Sequence, residues 1–201
     1  MKRFFDFTVS LILILLLLPV FALIGIIIAV DAGRPVIYKQ YRVGKDNKLF
    51  YVYKFRTMKK NTRNAATADL TEADSCITKS GRILRKTSLD ELPQLWHVLS
   101  GKMSLVGPRP LPAKYLERYS PFQARRHEVR PGITGWAQIN GRNAISWEKK
   151  FQLDVWYVDN RSLLLDAKII FLTFAKVFKR SGVNSSETET MPEFTGSGKN
   201  S

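Results

Sequence analysis

The sequence predicts an α+β protein in which a membrane-associated helix precedes a small, mainly helical domain with one short β-hairpin. Three observations predict this fold. Residues 9–30 carry no charged side chain, two segments after them alternate apolar and polar residues, and later segments repeat apolar residues at helical spacing. The predicted boundaries are 1–33 for the membrane helix, 34–184 for the globular domain and 185–201 for a flexible tail.

The first element is an apolar helix over Val9–Val30, a run of about 22 residues, which is long enough to cross the hydrocarbon core of a bilayer. A cleaved signal peptide also begins with basic residues such as Lys2 and Arg3, but its apolar core is shorter. Pro19 lies midway along the run and predicts a break, because proline lacks a backbone donor and clashes with the preceding turn. Each half is then too short to cross a membrane alone.

Basic residues flank the apolar run on both sides, and such flanks favour the cytoplasmic face of a membrane. Lys2 and Arg3 precede the run, and Arg34, Lys39 and Arg42 follow it. Both ends are therefore expected on one face, which a re-entrant helix satisfies by entering and leaving the same leaflet. A helix that spans the bilayer is the rival course, and the residues alone leave the two open.

The next elements are the two strands of a β-hairpin, in VIYKQYRVG and KLFYVYKFRTM, joined by a turn at residues 44–47. Residues 59–80 are polar and predict a loop with some helix. The segment SLDELPQLWHVLSGKM has leucines at helical spacing and predicts a short amphipathic helix that ends at Gly101.

Helices and irregular loops are predicted for the second half of the domain. LVGPRPLP and RPGITGWAQINGRN contain too many prolines and glycines for regular structure, and PAKYLERYSPFQARRHEVR predicts helices broken at Pro121. Two longer helices follow, in SWEKKFQLDVWYVDN and SLLLDAKIIFLTFAKVFKR. The second is amphipathic with a basic side, a pattern that suits the surface of an anionic membrane.

The composition limits the class of partner. The chain has 32 Lys+Arg against 17 Asp+Glu, a net charge of +15, so the partner is anionic: nucleic acid, acidic lipid or a phosphorylated small molecule. The single cysteine, Cys76, excludes a disulfide-stapled scaffold and favours a reducing compartment. His97 and His127 have no partners at metal-ligand spacing, so zinc is not expected, and His97 is expected to pack within its apolar segment.

Two adjacent carboxylates, Asp90 and Glu91, are the first candidates for chemistry. A structural explanation competes, since Ser88 and Glu91 are spaced as a capping box and acidic residues stabilise the first turn of a helix. Neighbouring residues on a helix point about 100° apart, which suits two carboxylates with different tasks. One could attack a substrate while the other holds a metal ion.

Arginines in proline- or glycine-containing segments are the second group of candidates. A guanidinium gives bidentate hydrogen bonds to phosphate, and the prolines at 108 and 110 restrict the loop that carries Arg109. Arg125 and Arg126 fit solvated or lipid-facing charge better. The candidate phosphate ligands are Arg56, Arg109, Arg130 and Arg142.

Five motifs in order carry a family resemblance: the basic start with its proline-containing apolar run, YKFRTM, RKTSLDELPQLWHVLSGKMSLVGPRP, RPGITGWAQINGRN and LDVWYVDNRSLLLDAKII. Together, over about residues 1–184, they resemble the bacterial polyprenyl-phosphate phosphoglycosyl transferases, in particular the small monotopic PglC type. The resemblance implies transfer of a sugar 1-phosphate, expected to be that of a 2-acetamido sugar, from a UDP-sugar to undecaprenyl phosphate. UMP is released, and the route is ping-pong through an aspartyl-phosphosugar. This reaction is the first membrane step of glycan assembly.

The same resemblance implies roles for individual residues. Asp90 matches the nucleophile, and Glu91 matches the carboxylate that helps to bind Mg²⁺. Arg85, Arg109 and Arg142 match basic positions near the phosphates, and we count Arg56 with them as substrate-binding. The family's apolar helix is re-entrant and breaks at a Ser-Pro pair, of which this chain keeps only Pro19.

The expected setting is the bacterial inner membrane, with the catalytic domain 34–184 on the cytoplasmic face, in contact with membrane lipids and without nucleic acid. A membrane-tethered, non-enzymatic binder of anionic lipid or nucleic acid is the alternative. Asp90 and Glu91 distinguish the two, because a binder of anions has no need of carboxylates in a basic pocket. A membrane-spanning transferase with a direct one-step mechanism is a third possibility.

Overall fold

The computed structural model describes residues 1–59, 76–141, 145–179 and 193–196, and confirms an α+β fold with an apolar N-terminal helix and a short antiparallel hairpin. The α-helices are α1 (Lys2–Asp31), α2 (Lys79–Thr87), α3 (Leu95–Leu99), α4 (Pro121–Ala124), α5 (Trp136–Ile139), α6 (Trp147–Asn160) and α7 (Leu163–Lys179). The strands are β1 (Ile37–Val43), β2 (Leu49–Phe55), β3 (Ser104–Val106) and β4 (Gly132–Thr134). Short 3₁₀ segments of one or two turns cover Lys45–Asn47, Leu89–Gln94, Ala113–Arg118 and Arg125–His127.

The helix α1 continues through Pro19, so the predicted break does not divide it into two helices. A proline removes one hydrogen bond of the helical ladder, and the turns on either side can continue. In the described part of the chain, α1 is the one helix whose length and hydropathy suit a membrane crossing. The re-entrant course of this helix stays a prediction.

One face of α1 is buried and the other is exposed. Ile14, Ile24 and Ile28 lie on the buried face, and Asp6 and Ser10 continue it towards the N-terminus. Between Phe4 and Val30 the exposed residues are apolar, which is the composition of a surface that contacts lipid. Its large side chains are Phe4, Phe5, Phe7, Leu11, Ile12, Leu15, Leu16, Leu18, Leu23, Ile26, Ile27 and Val30.

Both ends of α1 are attached to the same globular domain. At the N-terminus the Arg3 guanidinium donates to the carbonyl oxygens of Val98 and Leu99, at 2.5 and 2.7 Å. At the C-terminus the Asp31 carboxylate accepts from the Ser80 backbone N–H and hydroxyl, at 2.9 and 2.6 Å. The helix therefore lies along the domain and does not project from it.

The sheet contacts divide into one predicted pair and one that was not predicted. β1 and β2 form the predicted hairpin, antiparallel from Ile37↔Phe55 to Val43↔Leu49. β3 and β4 pair in parallel within segments that were predicted to be irregular. Gly107 and Gly132 permit this pairing, because a Cβ on Gly132 would lie 2.0 Å from the Gly107 nitrogen.

The later helices agree with the sequence in position. The segment after Pro112 forms the predicted short helical turns, and Ser120 with Gln123 makes a capping box at the start of α4. The long helices α6 and α7 are present; α7 exposes Leu164, Phe171 and Phe174. Its amphipathic, interfacial character stays a prediction.

The loop predicted for 59–80 lies for the most part outside the described residues, and so does most of the predicted flexible tail. In that tail Glu193–Gly196 is described, and Phe194 within it is buried among aromatic side chains of the domain. This part of the tail is therefore packed.

Candidate active site

The segment that presents Asp90 and Glu91 is a tight 3₁₀ turn and not the first turn of an amphipathic helix. Ser88 ends α2 in the left-handed conformation, with φ 57°, and its side chain makes no capping hydrogen bond to the turn. Pro93 lies within the turn, and the α-helix α3 begins only at Leu95. The capping box that could have explained Glu91 is therefore absent.

Glu91 is held by two cations. Lys54 Nζ donates to its Oε1 at 2.7 Å, and the Arg109 guanidinium donates to Oε1 and Oε2 at 2.5 and 3.2 Å. Burial alone would raise the pKa of Glu91, but the charges and hydrogen bonds of Arg109 and Lys54 hold it well below its ordinary value. Glu91 is therefore ionised at neutral pH.

Asp90 has a different environment. Burial, and then the negative charge of Glu91, raise the pKa of Asp90. The nearby cations Lys54, Arg109 and Arg85 act against this rise. Among the described residues no side chain donates a hydrogen bond to Asp90. Its carboxylate is thus left available for chemistry, whereas that of Glu91 is engaged.

Lys54 and Arg42 belong to the site and were missed from the sequence. Lys54 lies on β2 inside the motif KFRTM, in which Arg56 is the predicted phosphate ligand. Burial, and then the charge of Arg109, lower the pKa of Lys54. Arg42 lies on the neighbouring strand β1 and donates to the Gln40 side chain at 2.6 Å. Burial and then the charge of Arg109 lower the pKa of Arg42 to about 10. The hairpin register, with Arg42 opposite Phe50 and Lys54 opposite Tyr38, places both side chains on the same face of the sheet, and the alternating pattern of the sequence could have indicated this.

The predicted arginines are not all gathered at the carboxylates. Arg109 contacts Glu91, and Arg85 lies close enough to affect the pKa of Asp90 while its Nε donates to Thr57 Oγ1 at 2.9 Å. Arg142 lies outside the described residues. Arg56 is buried, and all its guanidinium nitrogens donate to backbone carbonyls.

The acceptors of Arg56 are the carbonyl oxygens of Ala32, Gly33, Pro35 and Met58. Two of them directly follow the last turn of α1, where helix carbonyls lack partners within the helix. Arg56 therefore closes the end of α1, and its contacts give no support to a phosphate-binding role. Arg130 is likewise placed away from the carboxylates, donating to Gly101 O at 2.8 Å.

Arg126 was predicted to be a solvated or lipid-facing charge, and this prediction is wrong. It is 2% exposed, and its guanidinium donates to Asp154 Oδ2 at 2.8 and 3.0 Å and to the carbonyl oxygen of Arg109 at 2.7 Å. Its neighbour Arg125 is exposed as expected, paired with Glu128 and Asp159. Arg126 therefore holds the backbone of the loop that presents Arg109.

The donor set of the site fits Mg²⁺ and does not fit a metal bound only by protein. In the described ranges no group of three or more His, Cys, Asp or Glu side chains could enclose a metal ion. Mg²⁺ usually keeps several waters and binds through one or two carboxylates together with substrate phosphates. Asp90 and Glu91 supply such carboxylates. His97 is packed as expected, and its Nε2 accepts from the Tyr53 backbone N–H at 3.1 Å.

The fold and site together define a class of protein: one with an exposed apolar helix and a group of cations around one engaged and one available carboxylate, an arrangement suited to binding phosphate groups. The comparison with known families agrees. Residues 1–180 match the bacterial sugar transferase family, and the chain belongs to that family.

Individual relatives sharpen this assignment. The chain is 51% identical to the uncharacterized sugar transferase EpsL of Bacillus subtilis, over 98% of this chain and 97% of the relative. It is 41% identical to the UDP-glucose:undecaprenyl-phosphate glucose-1-phosphate transferase of Escherichia coli, over 89% of this chain but 40% of the relative. An N-acetylgalactosaminephosphotransferase of Aeromonas hydrophila is 37% identical, over 90% of this chain and 44% of the relative.

The predicted family and enzyme class, a phosphoglycosyl transferase, are thereby confirmed. The chain spans less than half the length of those relatives whose names state a substrate.

Proposed function

We propose that this protein transfers a sugar 1-phosphate from a UDP-sugar to undecaprenyl phosphate and releases UMP, with Asp90 as the nucleophile. The observation that carries the proposal is the difference between two adjacent carboxylates inside one group of cations. Glu91 is ionised and engaged by Lys54 and Arg109, while Asp90 has a raised pKa and an available carboxylate. The available Asp90 carboxylate suits a nucleophile, and the ionised Glu91 carries the negative charge that a metal-binding carboxylate needs.

In the first half-reaction an Asp90 carboxylate oxygen attacks the β-phosphorus of the UDP-sugar. The bond from that phosphorus to the bridging oxygen breaks, and UMP leaves with the electron pair. An acyl phosphate then joins Asp90 to the sugar. In the second half-reaction a phosphate oxygen of undecaprenyl phosphate attacks the same phosphorus, which forms the diphosphate and frees the Asp90 carboxylate.

The surrounding cations stabilise the negative charge on the phosphoryl group during both half-reactions. Arg109, Lys54, Arg42 and Arg85 are positioned to offset the charge on the phosphoryl oxygens as the bonds change. Mg²⁺, held through Glu91 and substrate phosphates, would supply further neutralisation of the diphosphate. Covalent catalysis suits this pair of substrates, because a soluble donor and a lipid acceptor need not occupy the site together.

We also propose that α1 enters and leaves the cytoplasmic leaflet of the bacterial inner membrane. The attachment of both its ends to one domain supports this course, since a helix that crossed the bilayer would carry one end to the far side. Its apolar outer face supports contact with lipid, and exposed apolar residues on α7, including Leu164 and Phe171, extend that contact. The basic flanks favour the cytoplasmic side.

The test is UMP release from UDP-sugars in the presence of undecaprenyl phosphate and Mg²⁺, with the expected 2-acetamido sugars, UDP-glucose and UDP-galactose as donors. Wild type should release UMP from one donor, and Asp90→Asn should not. Asp159→Asn, an exposed carboxylate paired with Arg125, is the matched control and should keep its activity.

Incubation with the active donor and no acceptor should add the mass of one sugar phosphate to the wild-type chain but not to Asp90→Asn. Activity without this adduct would indicate a direct one-step transfer. If no donor releases UMP and Asp90→Asn binds anionic lipid as well as wild type does, the protein is the tethered binder.

A further inference from the structure

The segment Glu193–Gly196 occupies a site on the domain that the proposed reaction does not use. The Phe194 side chain is 2% exposed and lies among four aromatic rings, those of Tyr115, Tyr119, Trp147 and Phe151. The distances between ring centroids are 5.0 to 5.8 Å, which are within the range of favourable aromatic contacts. Phe194 therefore completes an aromatic cluster that would otherwise be open.

Polar contacts recognise the same two residues. The Glu193 carboxylate accepts from Lys114 Nζ at 2.5 Å and from the Arg118 guanidinium at 2.7 Å. Arg118 also donates to the Phe194 carbonyl oxygen at 2.5 Å, and the Phe194 N–H donates to the Tyr115 hydroxyl at 3.3 Å. The domain therefore contacts both the Glu193 side chain and the Phe194 backbone, as in the binding of a peptide. All these partners lie on the 3₁₀ turn Ala113–Arg118.

This site is connected to the candidate active site through Arg126. The Arg126 guanidinium lies 5.6 Å from the ring of Phe151 and 5.9 Å from that of Tyr119, which are two of the four rings around Phe194. Arg126 in turn donates to the carbonyl oxygen of Arg109, whose side chain holds Glu91. The contacts from Phe194 to Glu91 are therefore continuous.

We propose that the aromatic cluster and the turn Ala113–Arg118 form a binding site for a glutamate-phenylalanine peptide. Its ligand is this chain's own Glu193–Phe194 pair. The bound pair acts as a positioning element: it fixes the rings against which Arg126 lies, and Arg126 fixes the loop that presents Arg109. For its effect on catalysis this inference rests on the proposed function; the docking itself does not.

Docking is tested without reference to activity, by hydrogen–deuterium exchange of the full chain in detergent micelles. Phe194→Ala should speed exchange in residues 107–128 and leave residues 79–87 unchanged, because the first range contains the turn and the Arg109 loop and the second does not. Thr195→Ala, an exposed neighbour, is the matched control and should exchange as wild type does. Equal exchange in Phe194→Ala and wild type would overturn the proposal.

The positioning role is tested by UMP release with the active donor. Phe194→Ala should lower kcat by about tenfold, the order expected when a catalytic group is displaced by a fraction of an ångström, and Phe194→Leu should recover most of it. Activity that is unchanged or higher in Phe194→Ala would exclude a positioning role.

A peptide of residues 189–198 added to Glu193→Ala/Phe194→Ala should restore both kcat and slow exchange in 107–128. Concentrations of about 1 mM are needed to replace a tethered segment. A scrambled peptide should restore neither. If wild type releases no UMP from any donor, restored slow exchange by the peptide still supports the docking site, and the failure then belongs to the proposed function. Failure of the peptide to restore slow exchange would count against specific recognition.

Discussion

Two arginine–carboxylate pairs meet at the loop that carries Arg109 and have opposite characters. Arg109 and Glu91 form the outer pair, in which the Arg109 side chain is 44% exposed and lies next to an available aspartate. Arg126 and Asp154 form the inner pair, in which both side chains are almost completely buried. The difference shows that the same chemical pairing can serve a substrate at one place and hold a backbone at another. Solvent access and unused hydrogen-bonding capacity decide which of these two roles a pair has.

Breaking the inner pair should give the largest loss of stability. Asp154→Ala leaves the buried Arg126 guanidinium without its carboxylate, and such a loss typically costs about 3–5 kcal/mol of the free energy of unfolding. The measurement is chemical denaturation of the purified protein in detergent micelles. An Asp154→Ala protein as stable as wild type would show that solvent reaches Arg126 and that the inner pair is not closed.

Breaking the outer pair should instead remove activity and spare stability. Arg109→Ala should lower kcat for UMP release by about 10²–10³-fold, the usual cost of losing one donor that stabilises transition-state charge. Its melting temperature should stay close to that of wild type, since the Arg109 side chain is partly exposed. A fall in stability as large as that of Asp154→Ala would erase the distinction between the two pairs.

The buried His97 should make the stability of the protein depend on pH, unlike a histidine in contact with solvent. Burial, and then the charge of Lys102, lower the pKa of His97 to about 4, below its value of 6.5 in the unfolded chain. As the pH falls the unfolded chain binds the proton first. Stability is therefore full above about pH 6.5 and is lost as the pH falls towards 4, by at most about 3 kcal/mol.

The check is the melting temperature between pH 7 and pH 4 for wild type and His97→Gln, whose amide oxygen can still accept from the Tyr53 N–H. The variant should lose less stability than wild type over this range. Parallel curves for the two proteins would contradict the lowered pKa.

The smallest effect is expected for a third pair, which is exposed at the surface. Arg125 Nη2 and Asp159 Oδ1 lie 2.5 Å apart, and both side chains are in contact with solvent. Asp159→Asn should change the free energy of unfolding by less than about 1 kcal/mol, and the effect should shrink further in high salt. A larger change in the free energy of unfolding would show that the Arg125–Asp159 pair stabilises the protein as a buried pair does.

Local patterns were sufficient for much of the fold. Alternation of apolar and polar residues predicted the β1–β2 hairpin, and helical spacing predicted α6 and α7. Each of these signals depends on neighbours within about ten residues, which the sequence displays directly. The β3–β4 pair was missed because its contacts join segments about 28 residues apart, and no local pattern reports such a pairing.

The site was predicted in outline and corrected in detail. Asp90 and Glu91 were found from their adjacency and from motifs, but the spacing of a capping box gave a false structural explanation that the left-handed Ser88 removes. Within the motif KFRTM the sequence predicts Arg56 as the phosphate ligand, but Lys54 is the residue that contacts Glu91. Lys54 contacts Glu91 because β2 packs beside the 3₁₀ segment that carries Glu91. The residue type alone does not distinguish Lys54 from Arg56.

Hydropathy, motif order and residue chemistry are properties of short stretches of chain, and so the apolar N-terminal helix, the family and the two carboxylates could all be predicted before folding was considered. Which charges are buried depends on contacts between segments that are distant in the sequence. Arg125 and Arg126 are adjacent and chemically identical, yet one is solvated and the other lies beneath the Arg109 loop. The cost of burying a charge is met only when a partner distant in the sequence, here Asp154, is brought to it by folding.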